Sequence, residues 1–130
     1  MYSSETRHIK VTVKPQYLEG QSDPDQGTYF WAYTILIENR GVESVQLLTR
    51  HWKITDSNGA EQIVHGDGVI GEQPSLNPGE HFEYTSGAPL KTPSGFMVGS
   101  YGMINTQGEH FDIAIPLFSL DSPHTRGAVH

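Results

Sequence analysis

Apolar residues in this chain recur at every second position, in runs that suit strands and not helices. Ile9, Val11 and Val13 share one side of a segment, with Lys10, Thr12 and Lys14 on the other. Trp31, Tyr33, Ile35 and Ile37 repeat the pattern, and so do Phe111, Ile113, Ile115 and Leu117. A period of two puts alternate side chains on one face of a strand, whereas an amphipathic helix needs apolar residues three and four apart. Fourteen glycines and eight prolines cut the 130 residues into short pieces, so helix periodicity is hard to find.

Further strands follow from the same pattern. Leu48, Trp52 and Ile54 line one face of a third strand, with Arg50 among them. Asp56-Ser57-Asn58-Gly59 reads as a tight turn, because Asn-Gly accepts positive φ. A short strand at about Glu61–His65 comes next, then Asn77-Pro78-Gly79 as a second turn, and Phe82 and Tyr84 on one face of the strand after it. Residues 96–104 form another strand, followed by a hairpin turn at Asn105–Gly108. Phe96-Met97 and Tyr101-Gly102-Met103 read as core. After Pro116 the alternation fades, and residues 119–130 read as loosely held.

That makes about seven short strands with turn signals between them, the pattern of an all-β fold. The expected architecture is a two-sheet antiparallel sandwich of the immunoglobulin or fibronectin III kind, with a small closed barrel as the alternative. Residues 1–6 are expected to form a flexible N-terminus, residues 7–123 one domain and residues 124–130 a flexible tail.

The formal charge is −7, and only eight Lys and Arg are scattered along the chain. Nucleic-acid binding relies on positive surface that displaces counterions, so neither nucleic acid nor an anionic membrane is an expected partner. There is no cysteine, hence no disulfide framework and no thiolate chemistry. No apolar run approaches the ~20 residues of a membrane helix. Met1–Lys10 has no signal-peptide core, and the expected location is the cytoplasm.

Gly66-Asp67-Gly68-Val69-Ile70-Gly71 matches the Gly-x-Gly-x-x-Gly of dinucleotide-binding turns. That motif works by feeding a strand through a tight turn into a helix whose N-terminus holds the pyrophosphate. Pro74 and Pro78 follow at once and forbid such a helix. Asp67 sits within the motif and Glu72 directly after it, and no Lys or Arg lies between Lys53 and Lys91. The expected role of Gly66, Gly68 and Gly71 is structural, supplying positive φ or letting the backbone pass close to the sheets. The alternative is a nest of backbone N–H groups that takes a phosphate or nucleotide.

Seven histidines raise the question of a metal. Gly79-Glu80-His81-Phe82-Glu83 and Gly108-Glu109-His110-Phe111-Asp112 are similar pentads, each starting a strand. Their strands belong in opposite sheets, so their outward histidines and acids do not converge. His51 and His65 lie on neighbouring strands and are the candidate pair for a divalent cation. No nucleophile elbow, P-loop or His-Glu-x-x-His is present, and the reading is a protein that is not an enzyme and needs no cofactor. Arg50 interrupts an apolar face. Either a bulge near Leu47-Leu48 shifts the alternation, or the stem packs while the head finds a carboxylate, or Arg50 is an exposed recognition residue.

A longer series of motifs runs in order along the chain. It comprises Arg50-His-Trp-Lys-Ile54, Gly66-Asp-Gly-Val-Ile-Gly-Glu-Gln-Pro74, Leu76-x-Pro-Gly79, Phe82-x-Tyr84-x-Ser86, Gly95-x-Met97-x-Gly99-x-Tyr101-x-Met103 and Ile115-Pro-x-Phe118. This series resembles the ApaG family, from about Arg7 to Pro123. The resemblance implies a fibronectin III-like sandwich and small, free-standing, cytoplasmic bacterial proteins. It also implies kinship with domains in eukaryotic F-box proteins and a polymerase-interacting protein, which look like protein-binding modules. The family carries a label for cobalt and magnesium efflux, which for this chain implies an indirect role. Its glycine motif maps onto Gly66, Gly68 and Gly71, and His65 departs from the charged or other polar residue expected beside it.

The sequence therefore predicts a non-enzymatic module whose partner is another protein. The alternative is a small ligand: pyrophosphate or a nucleotide at the glycine loop, or a divalent cation at His51 and His65. Pairing through an edge strand leaves a homodimer open.

Overall fold

A computed structural model describes residues 1–124. Nine strands carry the fold: β1 (Tyr2–Thr6), β2 (Ile9–Tyr17), β3 (Tyr29–Asn39), β4 (Val45–Asp56), β5 (Glu61–Asp67), β6 (Ser75–Leu76), β7 (His81–Leu90), β8 (Gly95–Asn105) and β9 (His110–Leu120). One sheet has the order β1-β2-β3-β7 and the other β5-β4-β8-β9, with β6 also on β4. Every pairing is antiparallel. Two single-turn 3-10 helices, Glu19–Gln21 and Pro24–Gln26, fill the β2–β3 connection. No helix among the described residues is long and apolar enough to cross a membrane.

The inward faces of the two sheets meet in one core. Val11, Val13, Ile35, Ile37, Tyr101, Ile113 and Phe118 are fully enclosed there. Tyr33, Trp52 and Phe118 form an aromatic knot between the sheets, with Tyr33–Trp52 centroids 5.4 Å apart and Trp52–Phe118 centroids 5.9 Å apart. Such tilted and edge-on pairs add about 0.5–1.5 kcal/mol each beyond the area they bury.

Seven of these strands are the ones that the alternation predicts, and β1 and β6 are additional. Residues 1–6 were expected to be flexible, yet Tyr2–Thr6 pairs residue by residue with β2. The turn between them, Arg7-His8, has both residues at positive φ, which gives the twist of a tight type I′ hairpin. The C-terminal end is also held further than expected. Phe118 and Leu120 are buried, and the Trp31 indole N–H donates to the Asp121 carbonyl at 2.8 Å. The expected tail falls mostly on residues 125–130, outside the described residues.

Two irregularities displace the simple alternation. In β4 the register on β8 shifts between Leu47 and Thr49. The bulge puts Leu47, not Leu48, into the core, while Trp52 and Ile54 stay inward as expected. In β9 the register shifts around Pro116, which has no N–H to give the ladder. Beyond it Phe118 faces inward, and Leu117, which extends the apparent alternation, is left exposed. Phe96 likewise lies on the outer face while Met97, Tyr101 and Met103 are core.

The two open sides of the sandwich differ. On one, β1 leans on β9: the Ser4 hydroxyl donates to the Ala114 carbonyl at 2.9 Å, and the Ala114 N–H donates to Thr6 Oγ1 at 3.2 Å. On the other, the edge strands β5 and β7 share no backbone pairing. The glycine loop lies on that side.

Candidate functional site

The loop is an excursion in an edge strand. β5 pairs with β4 up to Thr49–Asp67, and β6 resumes on β4 at Gln46–Ser75. The residues between swing out opposite the β4 bulge. There the Leu48 carbonyl accepts the Gly68 N–H at 2.8 Å and the Gln73 side-chain amide at 2.9 Å, and the Leu47 N–H donates to the Pro74 carbonyl at 3.0 Å. The bulge and the excursion are two halves of one feature, because the extra residue in β4 presents the carbonyl that anchors the loop.

Within the excursion, Val69 and Glu72 exchange two backbone hydrogen bonds of 2.8 and 2.9 Å around a two-residue turn. Ile70 and Gly71 occupy that turn at φ +43° and +80°, again the type I′ pattern. Val69 is buried and plugs the loop into the core, while Ile70 at the tip is 55% exposed. A β-branched residue in the left-handed region is an outlier that costs about 1–2 kcal/mol.

Each glycine of the motif has its own physical reason. At Gly68 the φ is +64° and a Cβ would collide with the Glu72 carbonyl oxygen. Gly71 supplies the second left-handed residue of the turn. Gly66 provides room: a Cβ there would stand 2.8 Å from Nη2 of Arg50. Gly68 and Gly71 supply the positive φ expected of the motif, whereas Gly66 gives room to the Arg50 side chain, and the loop leads into a two-residue strand, not a helix.

Arg50 is therefore not an outward residue. It lies on the inward face of β4 in phase with Trp52 and Ile54, beyond the bulge, between Gly66 on β5 and Tyr101 on β8. Its Nη1 donates to the carbonyls of Asp67 at 3.0 Å and Gly68 at 2.9 Å. The expectation that its head would meet a carboxylate is corrected here: backbone oxygens take it, and no described carboxylate pairs with it. Nη1 uses two of the five guanidinium donors, leaving three with no protein acceptor among the described residues.

These groups line a cavity of about 240 Å³ at the β5–β7 side, formed by Tyr33, Arg50, Trp52, Tyr84 and Ser86 under Val69, Ile70 and Gly71. Tyr33 and Ser86 are cross-strand partners on β3 and β7. Tyr84 and Tyr101 share a hydroxyl–hydroxyl hydrogen bond of 2.5 Å across the sandwich. Burial pushes all three phenols, Tyr33, Tyr84 and Tyr101, up. For Tyr33 a hydrogen bond from Ser86 and the charge of Arg50 act the other way. The phenols stay neutral, so the cavity holds one cation amid uncharged hydroxyls. A larger cavity of about 370 Å³ lies further along the same side, but its one cation, Lys91, shares it with Asp56 and Glu61.

The other predicted residues fall elsewhere. His51 and His65 are directly paired across β4 and β5, with their Nδ1 atoms 3.3 Å apart. No third His, Cys, Asp or Glu joins them into a metal-binding group among the described residues. His81 and Glu83 on β7 and His110 and Asp112 on β9 lie in opposite sheets. Tyr33, Tyr84 and Ser86 were not foreseen as site residues. Their only signal is a polar atom at inward positions, and alternation alone reads those positions as ordinary core.

Comparison with known proteins places these features in company. The family model described as the ApaG domain matches residues 19–105. A Protein ApaG from Rhodospirillum centenum is 63% identical over 126 residues, 97% of each chain. One from Parvibaculum lavamentivorans is 57% identical over 130 residues, the whole of both chains. A crystal structure of an ApaA protein from Bordetella pertussis superposes with a TM-score of 0.88 at 46% identity, covering 93% of this chain and 98% of that one. The C-terminal domain of wzt is similar in fold alone, with a TM-score of 0.58 at 13% identity.

Proposed function

The chain belongs to the ApaG family, and from that premise we propose that it is a non-enzymatic binding module that recognises another protein through the glycine-loop side of its sandwich. One observation carries this reading. Ile70 stands exposed on a strained backbone at the tip of a loop that is otherwise pinned. Asparagine or glycine would fold more easily there, so the exposed aliphatic side chain carries a local cost in stability, a feature found where strained backbone serves recognition. The core beneath is rigid and the tip is apolar, a combination that suits docking onto a partner.

Crosslinking in native cells followed by mass spectrometry tests this. A reproducible partner crosslinked near Ile70, and lost in Ile70→Asp, supports the reading. Crosslinks confined to the β1–β9 side would reject it.

A second reading, cation binding, is favoured by the 3.3 Å between the Nδ1 atoms of His51 and His65. Two nitrogens on a tetrahedral ion at about 2.0–2.1 Å stand roughly 3.3 Å apart. With two protein ligands, such an ion would complete its shell with water or a partner group. Titration with Zn²⁺ while following the imidazole NMR signals tests it, and unchanged His51 and His65 signals would dismiss it.

A further inference from the structure

We propose that the cavity beneath the glycine loop is a receptor for one carboxylate group of the protein partner, with Arg50 supplying the charge and Tyr33, Tyr84 and Ser86 the neutral hydroxyls around it. This rests on the protein-binding reading above and says what the loop side recognises.

Four observations converge. First, Arg50 is an inward-facing cation that meets no carboxylate in the described chain, although acids outnumber bases by fifteen to eight. A sheltered charge is costly unless it is paired, and two carbonyls compensate it only in part. Second, Nη1 is fixed by those carbonyls, so the planar fork is held in place before any ligand arrives. A preorganised guanidinium offering parallel N–H groups matches a carboxylate in shape and charge. Third, the hydroxyls of Tyr33, Tyr84 and Ser86 line the same space, and the phenols are held neutral. Neutral hydroxyls donate to an anion without changing the charge of the site. Fourth, the roof is the Val69–Glu72 turn, whose Ile70 is exposed beside the mouth. A partner that lays apolar surface on Ile70 brings an adjacent carboxylate to the opening.

Size and charge select among anions. The cavity of about 240 Å³ falls below the ~300–1,000 Å³ typical of whole small-molecule ligands, so it takes a group and not a nucleotide. One cation balances one negative charge. Asp67 lies within the glycine motif and Glu72 beside it, in a chain of net charge −7, a field that disfavours a phosphate dianion more than a carboxylate monoanion.

The test uses the full chain and four probes: N-acetylglutamic acid α-amide for a side-chain carboxylate, N-acetylglycylglycine for a terminal one, N-acetylglutamine amide as the neutral control, and inorganic phosphate. NMR follows the Arg50 Nε–H and the Ile70 and Gly71 amides. Saturable shifts at millimolar concentration are expected with one or both carboxylates and none with the neutral amide. Their relative strength assigns side chain or terminus. Tyr33→Phe, which keeps the ring and the packing, is expected to weaken binding by about 3–10-fold, and Arg50→Lys by more, since it keeps charge and loses the fork. The proposal is overturned if the neutral amide shifts the same signals equally, if phosphate binds more tightly than both carboxylates, or if no probe shifts the Arg50 Nε–H. Crosslinks to a partner at Ile70 that persist in Arg50→Lys, with no carboxylate response, would sink the pocket and spare the protein-binding reading. A carboxylate response without any partner would do the reverse.

Discussion

Arg7 lies in one type I′ turn and Arg50 beneath another, on opposite sides of the sandwich, and the chain treats them differently. On the closed side Arg7 is half-exposed and fully engaged. It makes a two-point contact with Glu109 at 3.0 and 3.3 Å, reaches Glu43 at 3.8 Å, and lies 4.0 Å over the ring of Phe111. On the open side Arg50 is drawn between the sheets and given only carbonyls. A clasp that stabilises needs its charges matched within the chain. Arg50 is held by backbone carbonyls alone. The difference separates an ion pair closed within the chain from a cation that meets no described carboxylate, although both residues read simply as arginine in the sequence.

The comparison breaks most easily at the loop. Gly68→Ala forces a Cβ against the Glu72 carbonyl at a left-handed φ, and is expected to cost about 3 kcal/mol and lower Tm by about 10 °C in a thermal melt. A small change would mean that the excursion is softer than its hydrogen bonds suggest. Arg50→Met should come next. It leaves the Asp67 and Gly68 carbonyls without their donor, at about 1–3 kcal/mol by urea titration. Arg7→Met should move the same urea midpoint far less, because exposed ion pairs contribute little. Equal effects would erase the distinction between the two arginines.

Ile70→Asn sharpens the contrast in the opposite direction. Asparagine accepts the left-handed region, so stability should rise by about 1 kcal/mol while partner crosslinking falls. A gain in stability with undiminished crosslinking would leave the exposed isoleucine without a function.

The pH dependence separates the two sides as well. Folding raises the Tyr84 and Tyr101 phenols above their ordinary value of 10.0, so the unfolded chain releases those protons first. Stability from the tyrosine layer is complete below about pH 10 and falls as pH rises beyond it, which ultraviolet difference titration will show as delayed phenolate absorbance. Glu109 behaves inversely. The hydrogen bond and charge of Arg7 hold its carboxyl below its ordinary value of 4.5. Its contribution is complete above that value and lost as pH falls through the folded one, the smallest effect of the set and one that added salt erodes.

Much of the fold was legible because strand alternation is a local code. Ile9, Val11, Val13, Trp31, Tyr33, Ile35 and Ile37 all lie inward as their spacing predicts. The turns at Asp56–Gly59 and Asn105–Gly108 were equally readable, since the Asp56 and Asn105 side chains accept backbone N–H groups two and four residues on. Two of the misses share a cause. At Leu47-Leu48 and Pro116-Leu117 an extra residue changes which side faces inward, and a bulge is a relation between two strands that neither strand's sequence displays. Tyr2–Thr6 was missed because its apolar content is too thin to mark it; β2 beside it and β9 against it hold it in place.

By itself, the sequence determined that this protein is an all-β sandwich of the ApaG family, that its glycine loop opens no helix, and where most turns fall. Those outcomes depend on periodicity, on proline and glycine chemistry, and on order along the chain. Only the tertiary structure decided that the Arg50 head meets the Asp67 and Gly68 carbonyls and not a carboxylate, that Gly66 leaves it room, and that Tyr33, Tyr84 and Ser86 from the opposite sheet line its cavity. The reason is physical: alternation is local to a strand, whereas the packing of two sheets chooses which distant residues share a cavity.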